Sequence, residues 1–402
     1  MSGMSRKEGA IAHVWRQARV VLSIVTTGVV LAACSTQLGG SATVPQAGEQ
    51  AANAPAGEGR VRIGVVLPLT AQGNAGLAAQ SMKNAAEMAL AEFKVTNVQL
   101  LVKDDGGSPQ GAQNAAQQAI SEGAEIIIGP LFAQSVSAVG QVARSRNIPV
   151  IAFSTDASVA AHGVYLLSFL PETDVRRIVD FAASRGKRSF AALLPDNAYG
   201  TVVEAAFQQE VSRHGGRIVV LEKYPHDANR TAEAVRRIAQ AANQIDSIFI
   251  PDSPDAVPQV AQALAANGVN VKRVQLLGTG LWGDDTRISL EKLLDGGWYP
   301  SPEQTGFRNF AGRYRARYGQ DPVRTATLAY DATALVAALV KTQGTQRFSE
   351  QALTNPSGFA GIDGVFRFRP EGTNERGLAV LRVTPSGGQV ISPAPKSFAP
   401  GT

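Results

Sequence analysis

The chain has 402 residues, 44% of them hydrophobic, with 38 basic and 33 acidic side chains and a formal charge of +5. Arg6, Lys7, Arg16, Arg19 and Glu8 lie before residue 34, so the remainder carries only about +2 and offers no nucleic-acid footprint. A single cysteine, Cys34, excludes a disulfide framework.

Residues 1–33 read as an export signal. A basic entry region precedes an apolar stretch, 20–33, that is shorter than the roughly 20 residues a spanning helix requires. Leu31-Ala32-Ala33-Cys34 resembles a bacterial lipobox, which makes Cys34 an acylated N-terminal anchor whose buried CH₂ groups contribute about 0.8 kcal/mol each. Ser35, where an aspartate would signal inner-membrane retention, favours the outer membrane. Residues 34–59 are rich in Gly, Ala, Gln, Ser and Pro and read as a flexible tether. The body from Arg60 onward is long for one core and suits two lobes.

Within the body, short apolar runs alternate with alanine-rich helical patterns. Strands are expected at 61–67, 98–103, 125–128, 150–153, 190–194, 218–221, 247–250 and 274–277. Runs such as "IIIG" and "SIFI" are continuously apolar, as in parallel strands covered on both faces. Ala78, Met82, Ala85, Ala89 and Phe93 mark one buried helical stripe, and Ser108-Pro109 is a helix start. The alternation predicts an α/β protein with doubly wound parallel sheets. "VVLPLTAQGNAG" (65–76) and "ALLPDNAYGTVV" (192–203) form a faint repeat of strand, Leu-Pro, polar loop, glycine and helix. Both loops fall at strand C-termini, where ligands sit in such sheets, so two facing lobes would share a cleft.

Other motifs have structural readings. Gly278 to Gly283 matches GxGxxG, but no clear strand-ending acid follows some 20 residues on to hold a ribose, and it reads as a cleft loop. "DDTRISLEKLLDGG" after it reads as a short capped helix with a glycine stop. In "FRNFAGRYRARYGQDPVR", Phe307, Phe310, Tyr314 and Tyr318 share one helical face, leaving the arginines solvated. Asp104-Asp105 reads as a turn and cap. His13, His162, His214 and His226 lack metal-ligand spacing, and no nucleophile elbow appears. No catalytic residue, metal or cofactor is expected.

Taken in order, "RIGVVLPLTAQGNAG", "KDDGGSPQGAQNAAQQAISEGAEIIIGP", "IPVIAFSTDAS", "PDNAYG", "YGQDP" with "AYDATALVAAL", and "FAGIDGVFRFRPEGTNERGLAVLRV" resemble the type I periplasmic binding proteins, leucine/isoleucine/valine-binding branch. The resemblance implies two α/β lobes joined by three hinge strands. Residues 60–170 and 304–370 would form lobe 1, and 171–303 and 371–400 lobe 2. It further implies a free amino acid clamped between them. Ser154 and Thr155 would stand at its carboxylate, with Asp156 beside them and Tyr199 facing it from the second lobe. Two positions depart from the branch: Phe132-Ala133 replaces a ligand-binding serine site, and "GTGLW", which contains Trp282, has glycine in place of the ammonium-binding glutamate. Asp252 or Asp156 would then take the ammonium, because a buried unpaired charge costs several kcal/mol. "VVLPLT", "IIIGPL" and "LSFLPETDVRRIVDFAASRGKRSFAALLPDNAYG" are also similar to the penicillin-binding-protein activator lipoproteins of the same fold.

Two functions follow as expectations. The first is a lipid-tethered periplasmic binding protein that delivers an amino-acid-like solute to an ABC permease. The alternative is a lipoprotein that regulates a peptidoglycan synthase by contact, with an empty or vestigial cleft.

Overall fold

The computed structural model of the chain describes residues 60–225, 228–283 and 285–398. The expected signal, Cys34 and the tether lie outside them. Among the described residues no helix is long and apolar enough to cross a membrane.

The first sheet is parallel, built from β1 (Val61–Leu67), β2 (Val98–Asp104), β3 (Ala124–Ile128), β4 (Val150–Ala152) and β5 (Val164–Leu166) in the order β2-β1-β3-β4-β5. Helix α1 (Asn74–Phe93) covers one face, and α2 (Pro109–Ser121) and α3 (Ala133–Arg144) cover the other. Ser108 Oγ accepts from the Gly111 N–H at 3.1 Å, with Pro109 in the first turn, so α2 starts where expected.

The chain then passes to the second sheet. Helix α4 (Pro171–Ser184) leads into β6 (Ser189–Pro195), α5 (Ala198–Arg213), β7 (Arg217–Tyr224), α6 (Ala228–Gln240), β8 (Ser247–Phe249), α7 (Val257–Ala266), β9 (Gln275–Leu277), α8 (Thr286–Leu290) and β10 (Trp298–Ser301). These five strands are parallel. Helices α4 and α5 pack on one face of the sheet, and α6, α7 and α8 pack on the other. Helix α8 leaves its helical path at Glu291, well before the glycine stop expected at 296.

A second passage returns the chain to the first sheet. Helix α9 (Gln304–Tyr318) ends at Gly319 with φ 72°, and its buried Phe310 and Tyr314 pack with Ala85 and Met88 of α1. Helix α10 (Ala326–Thr342) joins α1 over the first sheet, followed by the short α11 (Glu350–Leu353). A small antiparallel sheet then forms from β11 (Phe359–Gly361), β12 (Gly364–Phe368) and β13 (Asn374–Arg376). The third passage leads to β14 (Ala379–Thr384), antiparallel to β10, and β15 (Gly387–Ser392). Since β13 still pairs with β12, we place this passage at Gly377-Leu378, later than the expected 370/371, and propose lobes of 60–170 with 304–376 and 171–303 with 377–398.

The repeat has a steric meaning. A Cβ on Gly76 would collide with the Ala71 carbonyl oxygen, and one on Gly200 with the Pro195 carbonyl oxygen. Each Leu-Pro loop therefore closes against a helix start that only glycine permits.

Candidate ligand-binding cleft

Helices α4 and α5 start at the strand C-termini of the second lobe and bring three side chains together. Asn197 Oδ1 accepts from the Gly200 N–H at 2.8 Å and caps α5, which directs Tyr199 toward the cleft. The Tyr199 hydroxyl meets Thr279 Oγ1 at 2.9 Å, and burial pushes its pKa up. Asp174, in the first turn of α4, accepts from the Gly280 N–H at 2.8 Å; burial pushes its carboxyl up to about 7, against the pull of that hydrogen bond.

Facing them is a cavity of about 520 Å³, walled by Asp174, Tyr199 and Leu281 from lobe 2, Phe307 and Arg324 from the returning segment, and Phe169 from the first passage. Its size and mixed lining suit a small organic ligand. Behind this wall, Asp363 is 0% exposed and accepts from Arg324 Nη1 at 2.9 Å, Arg324 Nη2 at 2.5 Å and Thr327 Oγ1 at 2.6 Å. The buried Arg376 donates from Nε to the Ser168 carbonyl at 3.0 Å, and its guanidinium lies 4.7 Å from the Phe169 ring. Asp331 accepts from the Ile362 N–H at 2.8 Å, and burial above all, then the Asp363 carboxylate, pushes it up to about 7.

A carboxyl raised in this way favours folding in its neutral form. The stability that Asp331 contributes is full below its ordinary pKa near 4 and is lost as pH rises through about 7. In urea denaturation, Asp331→Asn should therefore stabilise the protein more at pH 8 than at pH 5, with a difference on the order of 2 kcal/mol. Equal effects at both pH values would refute the assignment.

Of the residues expected from sequence, Tyr199 lines this cavity, whereas Phe132, Ala133, Ser154, Thr155, Asp156, Asp252 and Trp282 do not. Ser154 is 4% exposed and accepts from the Asp156 N–H at 3.1 Å; Asp156 in turn caps a short helical turn by accepting from Ser158 N–H at 2.9 Å. Thr155 and Asp156 are exposed at the end of β4, and Phe132 is 37% exposed at the start of α3 beside the half-buried Ala133. Asp252 is 4% exposed, accepting from the Tyr224 hydroxyl at 2.5 Å and the Ser253 N–H at 2.7 Å, so its oxygens are already engaged. Trp282 is a core residue, 1% exposed, whose indole N–H donates to the Ile250 carbonyl at 3.0 Å. The glycine motif exists for its ring, because a Cβ on Gly278 would collide with it.

The fold also assembles a group that spacing did not reveal: Asp180, Glu210 and His214 have ligand atoms within 4.8 Å of one another. Arg176 reaches Glu210 at 3.2 Å and Arg213 reaches Asp180 at 3.3 Å, so two guanidiniums already supply the positive charge.

With two wound sheets, three passages and a cleft in place, residues 60–389 match the sequence profile of the periplasmic binding proteins. The chain belongs to the periplasmic binding protein family. Its fold is the type I, leucine/isoleucine/valine-binding form, as the sequence resemblance implied. A branched-chain amino acid ABC transporter periplasmic ligand-binding protein from Burkholderia xenovorans superposes with a TM-score of 0.67 at 18% identity, covering 85% of this chain and 97% of that one. A Leu/Ile/Val-binding protein homolog from Brucella suis is 23% identical over 55% of this chain and 58% of its own length. A penicillin-binding protein activator, LpoA, from Pantoea ananatis is 26% identical over 45% of this chain and 25% of its own. The chain thus spans only a quarter to somewhat over half of the curated relatives it matches.

Proposed function

We propose that this periplasmic binding protein, tethered to the membrane through Cys34, holds an amino-acid-like solute between its lobes for an ABC-type permease. The observation that carries this reading is the 520 Å³ cavity shared by Asp174 and Tyr199 of one lobe and Phe307 and Arg324 of the other. Ligand contact with both lobes would stabilise a closed arrangement by hinge motion. Asp174 takes the solute's ammonium, the role for which the sequence offered Asp156 or Asp252. Thr155 and Asp156, exposed at the end of β4, lie on lobe 1 where closure can bring them to the solute.

A thermal-shift panel of amino acids and small acids tests this reading. A ligand at 100 times its Kd should stabilise the protein by about 2.7 kcal/mol, and a flat response across the panel removes the transport role. Tyr199→Ala should weaken the bound solute more than tenfold, about 1.4 kcal/mol, by calorimetry; wild-type affinity would dissociate Tyr199 from the site. Ser154→Ala should weaken it too, through the loop that Ser154 braces.

The similarity to LpoA supports a second reading, regulation of a peptidoglycan synthase by surface contact. Mild crosslinking on membranes followed by affinity capture separates the two. Recovery of a permease favours transport, and recovery of a synthase favours regulation.

A further inference from the structure

We infer that Arg324 is the carboxylate receptor of the cleft, so that the solute is an apolar or aromatic acid: a carboxylate carried on a hydrophobic body. This rests on reading the 520 Å³ cavity as the solute's seat. The sequence resemblance would instead put the carboxylate at Ser154 and Thr155, but Ser154 is 4% exposed and neither residue lines this cavity.

Arg324 lines the cavity and has donors to spare. A guanidinium presents two forks, an end-on pair from Nη1 and Nη2 and a side-on pair from Nε and one Nη. Asp363 occupies the end-on fork, and Nη1 also donates to Thr327 Oγ1 at 3.2 Å. The Nε–H and the second Nη2 proton have no partner among the described residues. Yet the side chain is 34% exposed and lines the cavity. The side-on fork matches a carboxylate, which a lysine in the same place could bind only as a point charge.

The group is held in advance. Its guanidinium carbon lies 4.6 Å from the Phe307 ring centroid and 5.0 Å from that of Phe169, and Asp363 fixes its plane from behind. Little freedom remains to be lost on binding. Arg324 also stands just before the N-terminus of the 17-residue α10, whose dipole favours an anion. Asp363 alone does not cancel the site, because the buried Arg376 leans on the same carboxylate, and burial pushes the cluster's second carboxyl, Asp331, up to about 7, which leaves the cluster short of negative charge at and below neutral pH. The rings of Phe169 and Phe307, with Pro171 and Leu281, call for a hydrophobic body. At about 30 Å³ per water-sized atom the cavity holds roughly 17 non-hydrogen atoms, room for an aromatic acid.

Calorimetry on the full chain with L-phenylalanine, 3-phenylpropionate and their primary amides tests the assignment. Each acid should bind at least thirtyfold more tightly than its amide. Arg324→Lys, which keeps a charge for Asp363, should weaken the acids at least tenfold and by a larger factor than their amides. As a check independent of the variant's folding, the Arg324 Nε–H resonance of the wild-type protein should shift with acid and stay fixed with amide. Equal affinity for acid and amide, or an unmoved Nε–H resonance under saturating acid, overturns the role of Arg324 while leaving the cavity as a solute site. If neither acids nor amides bind, both the assignment and the solute reading fall.

Discussion

Asp363→Ala should lower the unfolding free energy by about 3–5 kcal/mol, the largest stability effect expected from a single polar side chain in this protein. Asp363 is fully buried and receives two hydrogen bonds from Arg324 and one from Thr327. The buried Arg376 draws on the same charge, and its two Nη groups make no hydrogen bond among the described residues. Removing the carboxylate leaves two guanidiniums, one wholly buried and the other partly so, with only Asp331 as counter-charge. Most of the loss comes from that uncompensated charge rather than from the pair itself. Urea denaturation at pH 7 measures it, and a loss below about 1 kcal/mol would mean that Arg324 swings into solvent and the cluster is no firmer than a surface ion pair.

The second large effect concerns binding. With Asp174 raised to about 7, an ammonium-bearing solute must bind the ionised form, so below that pH each unit costs a factor of ten. Affinity for such a solute should fall about a hundredfold between pH 8 and pH 5, with proton release on binding seen as a buffer-dependent heat. Asp174→Asn should abolish this pH dependence and weaken binding at pH 8 more than tenfold. The same substitution should leave folding at least as stable above pH 7, because the wild-type carboxyl is there ionised against its burial. A solute bound equally well by the wild type at pH 5 and pH 8 would rule out contact between its ammonium and Asp174.

Much of the fold was legible in sequence. The eight expected strands all appear, because continuously apolar runs and alternating helical stripes are local patterns that survive without knowledge of partners. The strands that escaped are short or are joined only by pairing at a distance. β5 and β11 have three residues each, and β14 and β15 complete the second sheet after a separation of some 80 residues from β10. The caps at Ser108 and Asn197 and the stop at Gly319 lie in residues that signal themselves.

The cleft was less legible. In the sequence Asp174 looks like an acidic residue in the first turn of a helix, and Arg324 like the last of a run of solvated arginines. Asp252 and Trp282 looked available, and each is consumed inside lobe 2 by Tyr224, Ser253 and the Ile250 carbonyl. Tyr199 alone was named from its loop and found on the cavity wall.

By itself, then, the order of residues determined a family, a pair of wound sheets and a loop at the mouth of each. Only the folded chain decided which charges meet. Phe169, Asp174, Tyr199, Phe307 and Arg324 come from separate elements, and their meeting depends on the passages between sheets. Burial and the neighbours it brings, which no local pattern encodes, set the ionisation of Asp174 and the orientation of Arg324.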